Sequence, residues 1–221
     1  MRIEKYLPEE IPFPSTRFYA YLARRSPFTR DWYIYVAKTV ASKIMEGRIL
    51  DVGTGPGYLP IEIARLIDKV EIIGIDLSPD MIRIAKKNAQ KAGITGRVRF
   101  EVEDANHMRY EDSVFDLVVS TGSFHHWKEP IRVLNEIYRV LKPRGQALIY
   151  ELRKDAPKED LEWLKERYGS LIAIFVYKLV SFHSALTMEE FRKTLGSPQN
   201  KFKRFSIEEC SPFIMEATLL K

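Results

Sequence analysis

A single cysteine, Cys210, stands among 221 residues. It excludes an intramolecular disulfide and any cysteine-based metal cluster, and it fits a reducing, cytoplasmic setting. Histidine is sparse as well, at four. Two of them adjoin, His125 and His126, but no further His, Asp or Glu follows at ligand spacing, so no metal site is expected. The opening stretch, MRIEKYLPEEIPFPSTRFYAYLARRS, has no apolar segment of the kind a secretory signal needs. The most apolar run, Leu171–Val180, contains Lys178 and falls far short of the roughly 20 residues that span a bilayer, so no membrane span is expected. Internal repeats are absent, and 12 prolines with 11 glycines make no low-complexity excess.

What is present reads as a globular chain: 45% apolar, 29% charged, formal net charge +5. Its length suits one domain with additions. Some of the positive charge gathers at Arg24, Arg25 and Arg30 and at Lys201, Lys203 and Arg204. The rest is scattered as on a solvated Lys/Glu-rich surface, which argues against a nucleic-acid tract. Residues 1–46 read as an N-terminal helical extension. Its start is Pro-rich, with a short helix over Phe18–Arg24 and a longer one capped by Thr29 or Asp31, running through Met45 and stopped by Gly47. From 47 to 152 strand and helix alternate, with strands apolar on both faces, as in a parallel sheet covered by helices. Residues 153–200 break the alternation: one helix over Asp155–Phe182, then Glu189–Leu195 behind a Thr187–Glu190 capping box. Residues 201–221 supply two closing strands, about Lys203–Cys210 and Phe213–Leu220. The expected architecture is α/β: a doubly wound, mostly parallel sheet with N-terminal helices and a helical insertion after strand 5.

The densest information lies in RILDVGTGPGYLPIEIARLIDKVEIIGID, residues 48–76. A buried strand ends at Asp51-Val52, a turn carries Gly53, Gly55 and Gly57, a helix follows, and a second strand ends on Asp76. An acid at that second strand end suits the two hydroxyls of a ribose. A dinucleotide turn would read G-x-G-x-x-G. Here the glycines alternate and position 58 is Tyr, which counts against a nicotinamide cofactor.

The pattern D-x-G-x-G-x-G resembles the first motif of the class I S-adenosylmethionine (SAM) methyltransferases. Four more blocks follow in order: VEIIGIDLSPDMIRIAKKNA, RFEVEDANHM, FDLVVSTGSFHHWKEP and VLNEIYRVLKPRGQALIYE. Together they resemble the small-molecule branch, which includes the ubiquinone and menaquinone C-methyltransferases. The resemblance implies a seven-stranded sheet with an antiparallel last strand and SAM as cofactor. Gly53, Gly55 and Gly57 would then let the backbone approach the cofactor's amino-acid end, and Asp51 would orient its ammonium. Asp76 would take the ribose hydroxyls, and Leu77 and Met81 would flank the adenine. Asp104 would accept from the adenine amino group beside Ala105, and Ser120 and Thr121, with Gly122, would line the pocket. His125 or His126 would touch the cofactor or act as general base; the alternative is that they only hold their loop.

The implied activity is transfer of a methyl group from SAM to a carbon or oxygen of a small, apolar or aromatic molecule by in-line displacement. Ser120-Thr121-Gly122-Ser123 stands where the enzymes that methylate base amino groups carry a Pro-Pro tetrapeptide. That argues against such substrates and leaves an RNA or protein methyltransferase, or a non-catalytic SAM-binding subunit, as alternatives. The aromatic N-terminal segment and residues 153–200 read equally as a substrate cover or as packing surface, so monomer and homodimer both stay open.

Overall fold

The computed structural model describes residues 25–183, 186–211 and 213–221. The expected Pro-rich start and the Phe18–Arg24 helix lie outside the described residues. The first described helix, α1 (Pro27–Lys43), is capped by Ser26, whose Oγ accepts from Thr29 N at 3.3 Å, with Pro27 in the first turn. Neither Thr29 nor Asp31 caps it. Ser26-Pro27 is the same device as Ser78-Pro79, a hydroxyl cap followed by a ring that presets φ. The helix also ends before Met45. Ile44 is already extended, and Gly47 belongs to strand β1 (Glu46–Val52), where a Cβ would lie 2.6 Å from Asp116 Oδ2.

The chain then alternates: α2 (Tyr58–Leu66), β2 (Lys69–Asp76), α3 (Pro79–Ala92), β3 (Val98–Val102), β4 (Phe115–Thr121), a 3₁₀ turn over Phe124–His126, α4 (Pro130–Val140) and β5 (Leu141–Leu152). Strand β5 is longer than the expected Gln146–Glu151. Leu141 already pairs with Phe115, and the ladder shifts register before Gln146, so Lys142-Pro143-Arg144-Gly145 forms an irregularity within the strand. Next come α5 (Lys158–Tyr168), α6 (Ser170–His183), α7 (Met188–Leu195), β6 (Arg204–Ser211) and β7 (Ile214–Leu220). The single helix expected over Asp155–Phe182 is two, because Gly169 takes φ +84° and ψ 155° and ends the first. The capping box at Thr187 forms as expected, with Glu190 N on Thr187 Oγ1 at 3.0 Å and Thr187 N on Glu190 Oε2 at 2.9 Å.

Seven strands make one sheet in the order β3-β2-β1-β4-β5-β7-β6. Strands β1 to β5 pair in parallel, and β7 runs antiparallel to both β5 and β6. Strand residues alternate between two cores, as a doubly wound sheet requires. Ile49, Ile72, Leu117 and Leu148 join α1, α2 and α3 on one face. Leu50, Ile73, Val118 and Ile149 join α4 and α7 on the other. Strand order reverses between β1 and β4, so a crevice opens at the carboxyl ends of those two strands.

The stretch after β5 divides between the faces. Leu164 of α5 and Ala173 and Val176 of α6 pack with α1, whereas Phe191 of α7 meets Phe124 edge-on at 4.9 Å. The α5–α6 hairpin is tied to α1 through Asp31, whose Oδ2 accepts from Tyr168 Oη at 2.8 Å and Arg167 Nη2 at 3.1 Å. Among the described residues no helix is long and apolar enough to cross a membrane. Asp31→Ala is expected to remove about 1 kcal/mol from that tie. Amide exchange in α5 should then quicken roughly fivefold, with β1 and β4 unchanged. Equal quickening in the sheet would show that Asp31 supports the whole fold.

Candidate cofactor and acceptor site

The glycine turn is fastened to the end of β2. Gly53 N and Thr54 N both donate to Ile75 O, at 2.9 and 2.8 Å, and Gly55 N donates to Asp76 Oδ2 at 2.9 Å. All three expected glycines have positive φ: +74°, +51° and +76°. Their reasons differ. A Cβ on Gly53 would lie 2.4 Å from the Ser123 side chain, and one on Gly57 2.6 Å from Phe100. Both are closed by the protein itself. Gly55 has nothing within 4 Å in that direction, so its backbone is the one of the three open to a ligand.

Asp51 is buried at the end of β1, 1% exposed, with the Thr54 hydroxyl of the glycine turn beside its carboxyl. Burial pushes that carboxyl up to about 7 from an ordinary 3.8; the Thr54 hydroxyl opposes the shift and the nearby Asp76 charge adds to it. A buried acid with one hydroxyl beside it is costly to ionise, and a positive group would offset that cost.

Asp76 already serves the turn. Oδ2 holds Gly55 N, and Oδ1 accepts from Ser78 N at 2.9 Å, while Ser78 caps α3. Leu77 is exposed at this edge, but Met81 is buried at 3%. Asp104 is exposed, and its Oδ1 accepts from Asn106 N and Nδ2 at 2.8 and 2.9 Å. That Asx turn leaves Oδ2 outward beside half-buried Ala105.

On the β4 side, Ser120 is buried, its Oγ 2.7 Å from Ser123 Oγ, and Ser123 donates to Val52 O at 3.2 Å. Thr121 is half-buried, and Gly122 N holds Tyr150 O at 2.8 Å. The 3₁₀ turn then sets the His125 and His126 rings 4.0 Å apart. Above them α1 contributes an aromatic wall. Trp32 reaches to 3.2 Å from a Cβ placed on Gly122, stacks on Tyr33, and Tyr33 meets Tyr58 at 6.0 Å.

Sequence reasoning missed Ser123 and Glu151, whereas Trp32 is one of the N-terminal aromatics that read equally as a substrate cover or as packing surface. Glu151 had a usable signal, a charged residue ending the apolar strand QALIYE at a carboxyl edge, the rule already applied to Asp51 and Asp76. Ser123 had none, because only the approach of two loops gives it meaning. A separate open groove of about 650 Å³ lies between Asn106, Arg132, Asn135 and Lys201. It is remote from the glycine turn in sequence and lining, and its Glu136 is already taken by Arg139 and Met108 N.

A family model described as a methyltransferase domain matches residues 45–211. The chain belongs to the class I SAM-dependent methyltransferases, in the small-molecule branch. SAM is its cofactor. It is 35% identical over 144 residues to the demethylmenaquinone methyltransferase of Thermus thermophilus, covering 65% of this chain and 61% of that protein. It is 33% identical over 123 residues to the ubiquinone/menaquinone biosynthesis C-methyltransferase UbiE of Geotalea daltonii, covering 55% and 52%. The chain thus spans about half to three fifths of the length of these relatives. Among solved structures it superposes on a SAM-dependent methyltransferase of Methanococcus maripaludis with TM-score 0.72 and 22% identity, over 93% of this chain and 91% of that one. It also superposes on the [4+2]-cyclase SpnF with TM-score 0.60 and 26% identity, over 80% and 59%.

The Asp51 geometry fixes a pH dependence. Between about 4 and about 7 the folded protein keeps a proton that the unfolded chain has released, so stability falls as pH rises through that window and levels above it. Asp51→Asn should remove this slope. Thermal midpoints of the two proteins are expected to diverge in favour of the variant as pH rises from 4 to 7. A constant difference would show that Asp51 does not titrate as a buried acid.

Proposed function

We propose that this chain transfers the SAM methyl group to a carbon or oxygen of a small, apolar or aromatic acceptor. The observation that carries the reading is Asp51, a buried acid at the switch point of the sheet that faces no cation among the described residues, beside the open face of Gly55. In this reading Asp51 holds the cofactor's ammonium and Gly55 lies against its amino-acid end. Asp76, at the end of β2, takes the ribose hydroxyls. Asp104 and Ala105 receive the adenine through Oδ2 and a backbone amide. Leu77 borders the same ring, and buried Met81 supports it from below. Ser120 and Thr121 shape the wall through their backbone, since the Ser120 hydroxyl is spent on Ser123.

Bound SAM supplies a methyl group already activated on a sulfonium. What remains for the protein is to align an acceptor and exclude water, which yields large rate gains without a catalytic triad. Trp32, Tyr33 and Tyr58 form an aromatic wall whose Trp32 abuts Gly122 at the end of β4, with Phe28 and Tyr168 packed against it. The quinone substrates in the relatives' names agree with such a wall.

Calorimetric titration with SAM and separately with NADH tests the cofactor half. Micromolar SAM binding and no NADH binding are expected, with Asp51→Asn and Asp76→Asn each weakening SAM at least about tenfold. Because neutral Asp51 offers an ammonium no charge, SAM affinity should also rise with pH up to about 7. Unchanged affinity in Asp51→Asn would overturn the ammonium assignment. Turnover is then sought with labelled SAM over quinols, phenols and an RNA control. A folded protein that binds SAM and methylates none of them would favour the non-catalytic reading.

A further inference from the structure

The two edges of the sheet are finished differently. Strand β3 is short, and Arg109 folds over its end and donates to Val102 O at 3.2 Å. Strand β6 pairs only with β7, so every second residue turns its N–H and C=O outward along the other edge. Among the described residues nothing bonds that outward backbone between Arg204 and Glu209. The stretch carries no proline, and the irregularity in its ladder lies beyond Glu209. An open edge of this kind is a template for another strand. Its side chains divide by face. Phe205 and Ile207 point to the α4–α7 side, where they are only partly buried. Arg204, Ser206 and Glu208 lie on the α1 side, with Cys210, and are exposed. Neither Arg204 nor Glu208 has an ion pair among the described residues. Glu208 instead stands directly opposite Glu216 of β7, and like charges so placed repel. Burial pushes the Glu216 carboxyl up, Lys43 opposes that, and Glu208 adds to it.

We propose that β6 pairs antiparallel with β6 of a second copy of this chain about a two-fold axis at Ser206, joining the two sheets edge to edge. The side chains choose the register. Opposite residues share a face, so the axis must pass through a residue and not between two. With Ser206 on the axis, Arg204 stands opposite Glu208 of the partner subunit, and symmetry makes this pair twice. Phe205 stands opposite Ile207 of the partner subunit on the other face, also twice. The pairing thus brings an arginine to a glutamate that its own sheet sets against another glutamate. An axis at Ile207 would set Phe205 against Glu209 of the partner subunit. An axis at Phe205 would set Lys203 against Ile207 of the partner subunit. Either shift loses both ion pairs and both apolar pairs. The edge is therefore self-complementary in one register, and a second copy is the occupant whose charges fit it. The crevice between β1 and β4 lies away from this edge, so the pairing does not depend on the methyltransferase reading.

Sedimentation equilibrium of the full chain is expected to show a dimer at micromolar concentration that weakens as salt rises. Arg204→Glu and Glu208→Arg should each weaken association at least about tenfold, and the two changes together should restore it. Mixing the two single variants is the sharper test. Each repels its own kind, whereas one of each restores both opposite-charge pairs, so a mixed dimer is expected. A general loss of stability would not produce one. In the unmodified protein, amide exchange over Phe205–Ile207 should slow as concentration rises. A chain that stays monomeric up to roughly millimolar concentration would overturn the proposal. So would a dimer indifferent to both single changes, which would lie on another face. Slow exchange in β6 at every concentration would assign the edge to a segment of the same chain and overturn it as well. The exchange measurement needs no variant to fold.

Discussion

The contact between the Gly53 backbone and the Ser123 side chain is the constraint on which the site depends. It closes the seam where strand order reverses, so that the loops after β1 and β4 lie against each other with no room for a single carbon. Ser123 then bonds both Ser120 and Val52 O, linking the two strand ends through one hydroxyl. With the seam closed, Asp51 cannot reach solvent. The turn that follows Ser123 is also fixed in direction, which carries His125 onto Glu151. A glycine and a serine 70 positions apart thus set the depth of one acid and the address of another.

Those two acids have different fates. Asp51 has the Thr54 hydroxyl beside it but faces no cation among the described residues, and burial pushes its carboxyl up to about 7. Glu151 has two backbone amides and a histidine, so its charge is provided for internally. Buried charge is expensive in either form. The fold places the acid that faces no described cation on the β1 side of the seam and the internally compensated one on the β5 side.

The sheet was legible in the sequence because its strands are apolar on both faces and punctuated by Gly, Ser-Pro and acids at strand ends, all local signals. Asp51, the glycine turn and Asp76 were legible for the same reason. The misread boundaries have local causes too: Ser26-Pro27 was passed over as a cap, and Gly169 was passed over as a break in a pattern whose apolar positions continue across it. Glu151 needed the crevice rule applied to a fifth strand. Ser123 needed tertiary structure, since it matters only through residues far away in the chain. Gly53 and Gly57 carried the right signal for an incomplete reason. Their lack of a side chain makes room for Ser123 and Phe100, and only Gly55 keeps its space for a ligand.

The match to the methyltransferase domain begins at residue 45, after α1 has ended. Trp32 and Tyr33 therefore lie outside what the family shares, although Trp32 presses on Gly122 at the end of β4. Asp31, one residue earlier, anchors the α5–α6 hairpin. A single helix thus couples the aromatic wall to the hairpin that follows β5, independently of the cofactor half. In such an arrangement, α1 and its hairpin can change while Asp51, Gly55 and Asp76 stay as they are. The same separation allows this fold to serve different chemistries, as the superposition on a cyclase illustrates.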